Sequence, residues 1–293
     1  DGYWGEKPAN GGAVFSYFTD ASALNTALLT DAVDVITSVQ SPDALAQFEG
    51  SGDFVIAEGK STTKQILAWN DRVAPFDNVK VRKALARAVD DKKLLEAIWG
   101  DRGTLIGSFV PPTDPWYTDL TGVDAYDPES AKALLAEAGF KDGFSFTLET
   151  PNYDPHPLTA EFVKAELAKI GVTVNINIIT SNEWYEKVYQ KKDFQATLQE
   201  HVNHRDIVFY GNPDFYWGYN NAEVVDLIAS AEASDTEEEQ VAKLKKANEI
   251  IAEDAASNWF FLYPQIVVSN AATKGYGVNG LNAQFFLRNI SKE

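Results

Sequence analysis

The chain has 293 residues, 45% of them hydrophobic and 23% charged, which is ordinary for a globular protein and ample for a buried core. Its net charge of -18 argues against nucleic acid as a partner, because binding a phosphate backbone needs clustered Lys and Arg. The absence of cysteine excludes disulfides, thiolate nucleophiles and cysteine-ligated zinc, and no stretch approaches the ~20 apolar residues that span a bilayer.

The chain has no methionine and opens abruptly on Asp1-Gly2-Tyr3-Trp4-Gly5, so it reads as processed or as a fragment. Residues 13–18, AVFSYF, read as a strand, and Asp20 precedes a short helix over 21–29. Further strands are expected at Val33–Val39 and Phe54–Ala57, and Ile66–Trp69 is an apolar run that stops at Asn70-Asp71. Asp77 or Asn78 can cap a helix carrying Val81, Leu85 and Val89 at spacing four. Residues 110–117, VPPTDPWY, hold three prolines in five positions, which forbids regular structure. The aromatics of this loop either form a ligand platform or cap the core beneath.

Asp127-Pro128 opens another helix, with Asp at the N-cap and Pro in the first turn, and Gly139 ends it. Residues 144–199 then alternate: a strand at 144–149, a helix closed by Gly171, a strictly alternating strand at 172–179, a helix over 182–190 and a strand at 194–198. This β-α-β-α-β order predicts a parallel or mixed sheet. Thr236 with Glu239 reads as a capping box before a helix carrying Val241, Leu244 and Ile251. Residues 259–268 form an apolar strand bent or edged at Pro264, and a short strand is expected at Phe285–Leu287.

In such sheets ligands bind beyond the carboxyl ends of the strands. That places two polar loops on one rim: residues 151–156, PNYDPH, and residues 198–206, LQEHVNHRD, which between them contain all three histidines. His201 and His204 form an H-x-x-H pair, and with His156 they could supply three imidazoles to zinc or nickel. At a strand end that spacing does not put the pair on one face, which favours hydrogen bonding to ligand or backbone over metal. No G-x-S-x-G, H-E-x-x-H or phosphate-cradling glycine loop is present, so a hydrolase using Glu200 and Asp206 as acid and base is the contrasting reading. Of the aromatics that follow, Phe209, Tyr210, Phe215, Tyr216, Trp217 and Tyr219, most should be core and a few could stack on ligand.

Several segments in order resemble the family 5 extracytoplasmic solute-binding proteins, the peptide-binding receptors of ABC importers. They are APFDNVKVRKALARAVD at 74–90, VPP at 110–112, YDPESAKALLAEAGF at 126–140, GVTV at 171–174, GYNNAEVVDLI at 218–228 and DGYWGEKP at 1–8. The resemblance implies a two-lobed α/β periplasmic-binding-protein-like fold of type II, peptide-binding class. Members are longer, so this chain would hold an incomplete first lobe (1–70 and 269–293) and a complete second lobe (71–268), with hinge strands near 67–70 and 267–269. It implies no catalysis and no cofactor or metal. The function implied is capture of a solute, most simply a peptide, with an oligosaccharide or a metal chelate such as nickel's as alternatives. The partners would be an ABC permease and the receptor's own missing N-terminal portion, on the outer side of the membrane, with a lipid anchor on the absent segment. In relatives that hold peptides, the loop after the strand matching 194–198 supplies an acidic residue that can pair with the ligand's α-amino group. Here Asp206 is the nearest candidate and Glu200 the second, with His201 standing where a Trp is usual. Asn152, Tyr153, Asn203, His204, Arg205 and Trp217 complete the expected ligand-binding set. Arg205 would meet a ligand carboxylate or pair with Asp206 or Asp214.

Overall fold

The computed structural model describes residues 4–18, 20–39, 42–100, 102–203, 205–279 and 286–293. It divides into two compact units, Asp1–Ser61 with Pro264–Glu293, and Thr62–Tyr263. These units divide at 61–62 and 263–264, where the sequence reading places the lobe boundaries at 70–71 and 268–269. Residues 64–69 hydrogen-bond into the sheet of the larger unit, and Pro264 separates the strands of the two units.

The smaller unit begins with α1 (Ala21–Leu29), whose Asp20 cap accepts from Ala23 N at 2.7 Å, then β1 (Val35–Ile36) and β2 (Phe54–Gly59). The larger unit continues with β3 (Lys64–Trp69), α2 (Val79–Arg87), α3 (Asp91–Trp99), β4 (Thr104–Leu105) and α4 (Pro128–Glu137). Next come β5 (Phe144–Pro151), α5 (His156–Ala168), β6 (Val172–Ile179), α6 (Ser181–Trp184, prolonged by a π-helical turn at Tyr185–Gln190) and β7 (Ala196–His201). The unit closes with α7 (Ala222–Glu232), α8 (Glu237–Glu253) and β8 (Ser257–Leu262). The chain returns to the smaller unit through β9 (Gln265–Asn270), β10 (Thr273–Lys274) and β11 (Ser291–Lys292).

In the smaller unit β9 lies between β1 and β2, antiparallel to both. The strand expected at 13–18 does not form. Residues 12–18 have no ladder partner among the described residues, and Val14 and Tyr17 are 93% and 94% exposed. β-propensity alone does not make a strand; a neighbour must take its backbone hydrogen bonds. The strand expected at 33–39 shortens to Val35–Ile36 for the same reason. Of the strand expected at Phe285–Leu287, residue 285 lies outside the described residues, and Leu287 begins a short 3-10 turn.

The larger unit is built on a six-stranded mixed sheet in the order β4-β8-β3-β7-β5-β6. β5 is parallel to both β6 and β7, and the other pairings are antiparallel. β3 and β8, each with a strand on both sides, are buried along their whole length. One face packs on α7 and α8 through Ile66, Phe109, Tyr210, Trp217, Leu244 and Ile251. The connection from β5 leads to β6 on one side, and the connection from β6 returns to β7 on the other. The carboxyl ends of β5 and β7 therefore flank a topological switch point, where open α/β sheets hold ligands.

Helix signals match local chemistry. Asn78 caps α2 and Asp127 caps α4, and α4 and α5 end before Gly139 and Gly171, whose φ values of 90° and 84° suit glycine. The capping box expected at Thr236 and Glu239 forms only half. Thr236 Oγ1 accepts from Glu239 N at 3.2 Å, but the Glu239 carboxylate takes Lys243 Nζ at 2.5 Å instead. The reciprocal box lies at α6: Glu183 N donates to Thr180 Oγ1 at 3.3 Å and Thr180 N to Glu183 Oε2 at 2.8 Å. Thr180→Ala is expected to cost about 1 kcal/mol of stability, read from urea unfolding.

Candidate functional site

β7 ends at the switch point, and its side chains alternate between the two faces of the sheet. Thr197, Gln199 and His201 share one face with Lys64 and Ile66, their partners across the antiparallel ladder with β3. Leu198 and Glu200 lie on the other face, where Glu200 stands directly opposite Gln65.

On the first face a Lys64–Asp206 ion pair is buried completely. Lys64 Nζ donates to Asp206 Oδ2 at 3.0 Å and to the carbonyl of Asn203, and both charged side chains are 0% exposed. Asn203 Nδ2 donates to Asp206 Oδ1 at 3.2 Å, and His201 Nδ1 lies 3.8 Å from the same oxygen. The other His201 nitrogen sits 2.9 Å from the Tyr216 hydroxyl. Burial by itself would push the Asp206 carboxyl up, but His201 and Lys64 outweigh it and hold it below its ordinary value. Burial pushes Lys64 down from its ordinary value, against the pull of Asp206 and Asp114.

Asp206, expected as the carboxylate that meets a ligand ammonium, is paired here with a lysine of the same unit. The partner is on β3, far along the chain, and strand pairing brings it in. The pairing of Arg205 is corrected: its guanidinium pairs with Glu232 on α7, not with Asp206 or Asp214, and lies 5.9 Å from the Trp116 ring. Trp116 is buried and Tyr117 packs against the same core, so the aromatics of the proline loop cap the interior. Asp114 in that loop is pushed up to about 6 by burial, with Lys64 and Arg205 pulling the other way. Trp217 is fully buried, stacked on Tyr210 at 4.5 Å and edge-on to Phe109 at 5.7 Å. It belongs to the core, which corrects the expectation that it touches ligand.

On the second face Glu200 is partly exposed, and its carboxylate has no hydrogen bond or ion pair among the described residues. Burial raises it above its ordinary value. Gln65 is fully buried; its carbonyl oxygen accepts the Tyr263 hydroxyl, while its NH2 group has no partner. Tyr153, from the loop after β5, donates to Gln199 Oε1 at 3.1 Å, and the nearby Glu200 adds to the burial that raises its phenol. Asn152 is exposed beside it and holds the loop through its backbone N–H to Ile179 O at 3.0 Å.

His156 opens α5 and is fully buried, with Nδ1 3.2 Å from Tyr153 O and its ring 4.6 Å from that of Tyr153. Burial pushes it down to about 4, so it is neutral near pH 7. His204 lies outside the described residues. No group of three or more His, Asp or Glu side chains able to hold a metal ion occurs among the described residues. Glu200 and Asp206 belong to opposite sides of the β3–β7 pair, an arrangement unsuited to one acid–base couple on a shared substrate.

Lys64 and Gln65 were missed from the sequence. The signal available was a lysine and a glutamine leading directly into the apolar run at 66–69, where polar groups entering a buried strand demand partners.

Residues 1–204 match the model for bacterial extracellular solute-binding proteins, family 5 middle. The dipeptide-binding protein of Escherichia coli is 29% identical, over 100% of this chain and 57% of its own length. Heme-binding protein A of Haemophilus influenzae is 34% identical, over 68% of this chain and 36% of its own length. The chain thus spans about half or less of these relatives. Among solved structures, a periplasmic binding protein of Helicobacter pylori in complex with the peptide STSA aligns with a TM-score of 0.83 at 23% identity, over 99% of this chain and 59% of that one. NikA from Brucella suis in complex with Fe(III)-EDTA aligns with a TM-score of 0.84 at 18% identity, over 99% and 64%. At these identities the structures show the fold alone, the mixed α/β type II periplasmic-binding architecture. With the family model matched over more than half its length, the chain belongs to the family 5 bacterial extracellular solute-binding proteins.

Proposed function

We propose that this chain is part of the substrate-binding component of an ABC importer, which captures a peptide outside the cytoplasm and delivers it to a membrane permease. The observation that carries the reading is the likeness to the E. coli dipeptide-binding protein along the whole chain. The polar loops at the carboxyl ends of β5 and β7 supply a surface of the right kind, at the place in the sheet where ligands bind. An N-terminal portion of the same receptor would complete the first lobe and carry the lipid anchor. No helix among the described residues is long and apolar enough to cross a membrane. The role we propose is binding without chemistry, a reading supported by the placement of Glu200 and Asp206 on opposite sides of the β3–β7 pair.

Native mass spectrometry of the full-length receptor, purified without added ligand, tests this. A retained peptide mass is the expected result. A retained oligosaccharide or nickel chelate would replace the substrate class, and turnover of a peptide or glycoside abolished by Glu200→Gln would sink the non-enzymatic reading.

A further inference from the structure

The six-stranded sheet of the larger unit has two open edges, and they differ. β4, at one edge, is two residues long. β6, at the other, runs for eight residues and pairs with β5 without a break in register. In the smaller unit the edge strand β1 is again two residues long, and the edge strand β2 carries the exposed Glu58. Native proteins protect an open edge by shortness, charge, proline or a bulge, because its free backbone groups otherwise pair with another chain. The β6 sequence, VTVNINII, has none of these devices.

The backbone of β6 offers a full set of hydrogen-bonding groups on its outer side. Ile179 turns its carbonyl inward and accepts from Asn152 N at 3.0 Å. Alternation along the strand then points the N–H and C=O groups of Val172, Val174, Ile176 and Ile178 away from β5. None of these groups has a hydrogen-bond partner among the described residues. One end of the edge is apolar at the surface as well. Ile178 is 56% exposed, and Leu158, on the helix α5 that packs against β6, is 55% exposed.

The chemistry of the strand selects its occupant. In a chain of net charge -18, most surfaces would set acid against acid when two copies meet. β6 carries no charge, and the charged residues beyond its two ends are of opposite sign: exposed Lys169 before it and exposed Glu183 after it. Antiparallel pairing with a second β6 brings the Lys169 end of each copy to the Glu183 end of the other. A two-fold axis at Asn175 sets Val174 of one copy opposite Ile176 of the other, and Val172 opposite Ile178. Every outward donor then faces an outward acceptor, Ile178 is covered by a valine, and the two Asn175 amides meet each other.

We infer that β6 is a self-association edge: two copies of the receptor pair their β6 strands antiparallel about a two-fold axis at Asn175, joining their six-stranded sheets into one continuous sheet. The contact lies on the larger unit and is independent of what ligand the receptor holds.

Sedimentation of the full-length receptor over a range of concentrations, with Asn175→Lys and Asn175→Asp variants, tests this. Asn175 is exposed, so both variants should fold, and thermal unfolding checks that they do. The wild type should form a dimer. Each variant alone should weaken it at least tenfold, because like charges then face each other across the axis, and an equimolar mixture of the two should restore association. Hydrogen exchange gives a readout that needs no variant: the amides of Val174, Ile176 and Ile178 should gain protection as concentration rises. A wild type that stays monomeric overturns the inference, and outward amides already protected in that monomer would show that another part of the receptor covers the strand. A dimer indifferent to both variants places the contact elsewhere, and a dimer weakened by each but not restored by mixing overturns the two-fold pairing.

Discussion

Replacing Lys64 by Met is expected to lower the unfolding free energy by about 3–5 kcal/mol, whereas the double variant Lys64→Met/Asp206→Asn should recover a large part of that loss. The single substitution removes the cation that faces Asp206 at 3.0 Å and leaves a carboxylate that is 0% exposed, with only Asn203 and His201 to hold its charge. The double substitution removes both charges together, and with them the desolvation each one suffers. Burial depresses Lys64 from its ordinary value despite Asp206 and Asp114, so the ammonium is held at a cost. A buried pair of this kind contributes less by existing than is lost by breaking it. Urea unfolding of the wild type, both single variants and the double variant gives the coupling directly. Additive losses would show that Lys64 and Asp206 act independently, contrary to the geometry.

This pair also shows where sequence reasoning stops. The order β5-α5-β6-α6-β7 was legible because its signals are local: alternation at 172–179, helical spacing in α5, and glycines at 139 and 171. The position of LQEHVNHRD toward the end of a strand followed from the same signals, and β5 and β7, the strands that lead into residues 151–156 and 198–206, are parallel neighbours. What each charged residue meets there was not legible. Lys64 reaches Asp206 through the antiparallel register of β3 and β7, which sets Lys64 against His201 and Gln65 against Glu200. A slip of one residue would exchange the two faces, and with them the roles of the two acids. Arg205 likewise finds Glu232 on α7 because that helix packs beside the 3-10 turn at Asp206–Gly211, a tertiary fact with no local trace. The strand expected at 13–18 failed for the complementary reason: its composition is right, but a strand is defined by its neighbour.

The second large effect concerns Asp71, where Asp71→Asn is expected to stabilise the protein at alkaline pH. Asp71 follows β3 and is fixed by its backbone N–H to Trp217 O at 2.8 Å. Both of its carboxylate oxygens are buried without a hydrogen bond. Arg82 lies 3.6 Å away, but its N–H groups are committed to the carbonyls of Phe76, Asp254 and Ala255 at 2.8–3.2 Å. Arg72 is similarly committed to the carbonyls of Pro213, Phe215 and Tyr216. Burial therefore prevails over both guanidinium groups and pushes Asp71 up to about 8, with the Asp254 charge adding to the rise. Between the ordinary carboxylate value and about pH 8 the folded protein keeps a proton that the unfolded chain has released. Stability must then fall as pH rises through that window, and the whole penalty is present above it. Asparagine has the same shape and no charge, so the variant escapes the penalty. At ~1.4 kcal/mol per pKa unit the linkage limit is about 6 kcal/mol. Water entry and local relaxation on ionisation should bring the gain at pH 9 to about 2–3 kcal/mol, shrinking toward zero near pH 4. Asp91 and Asp114, also raised by burial, add slope of the same sign to both proteins and drop out of the difference. Urea unfolding at pH 5, 7 and 9 reads that difference. A gain that does not grow with pH, or a variant less stable than the wild type at pH 9, would mean that Asp71 is ionised throughout and that Arg82 holds it as a true ion pair.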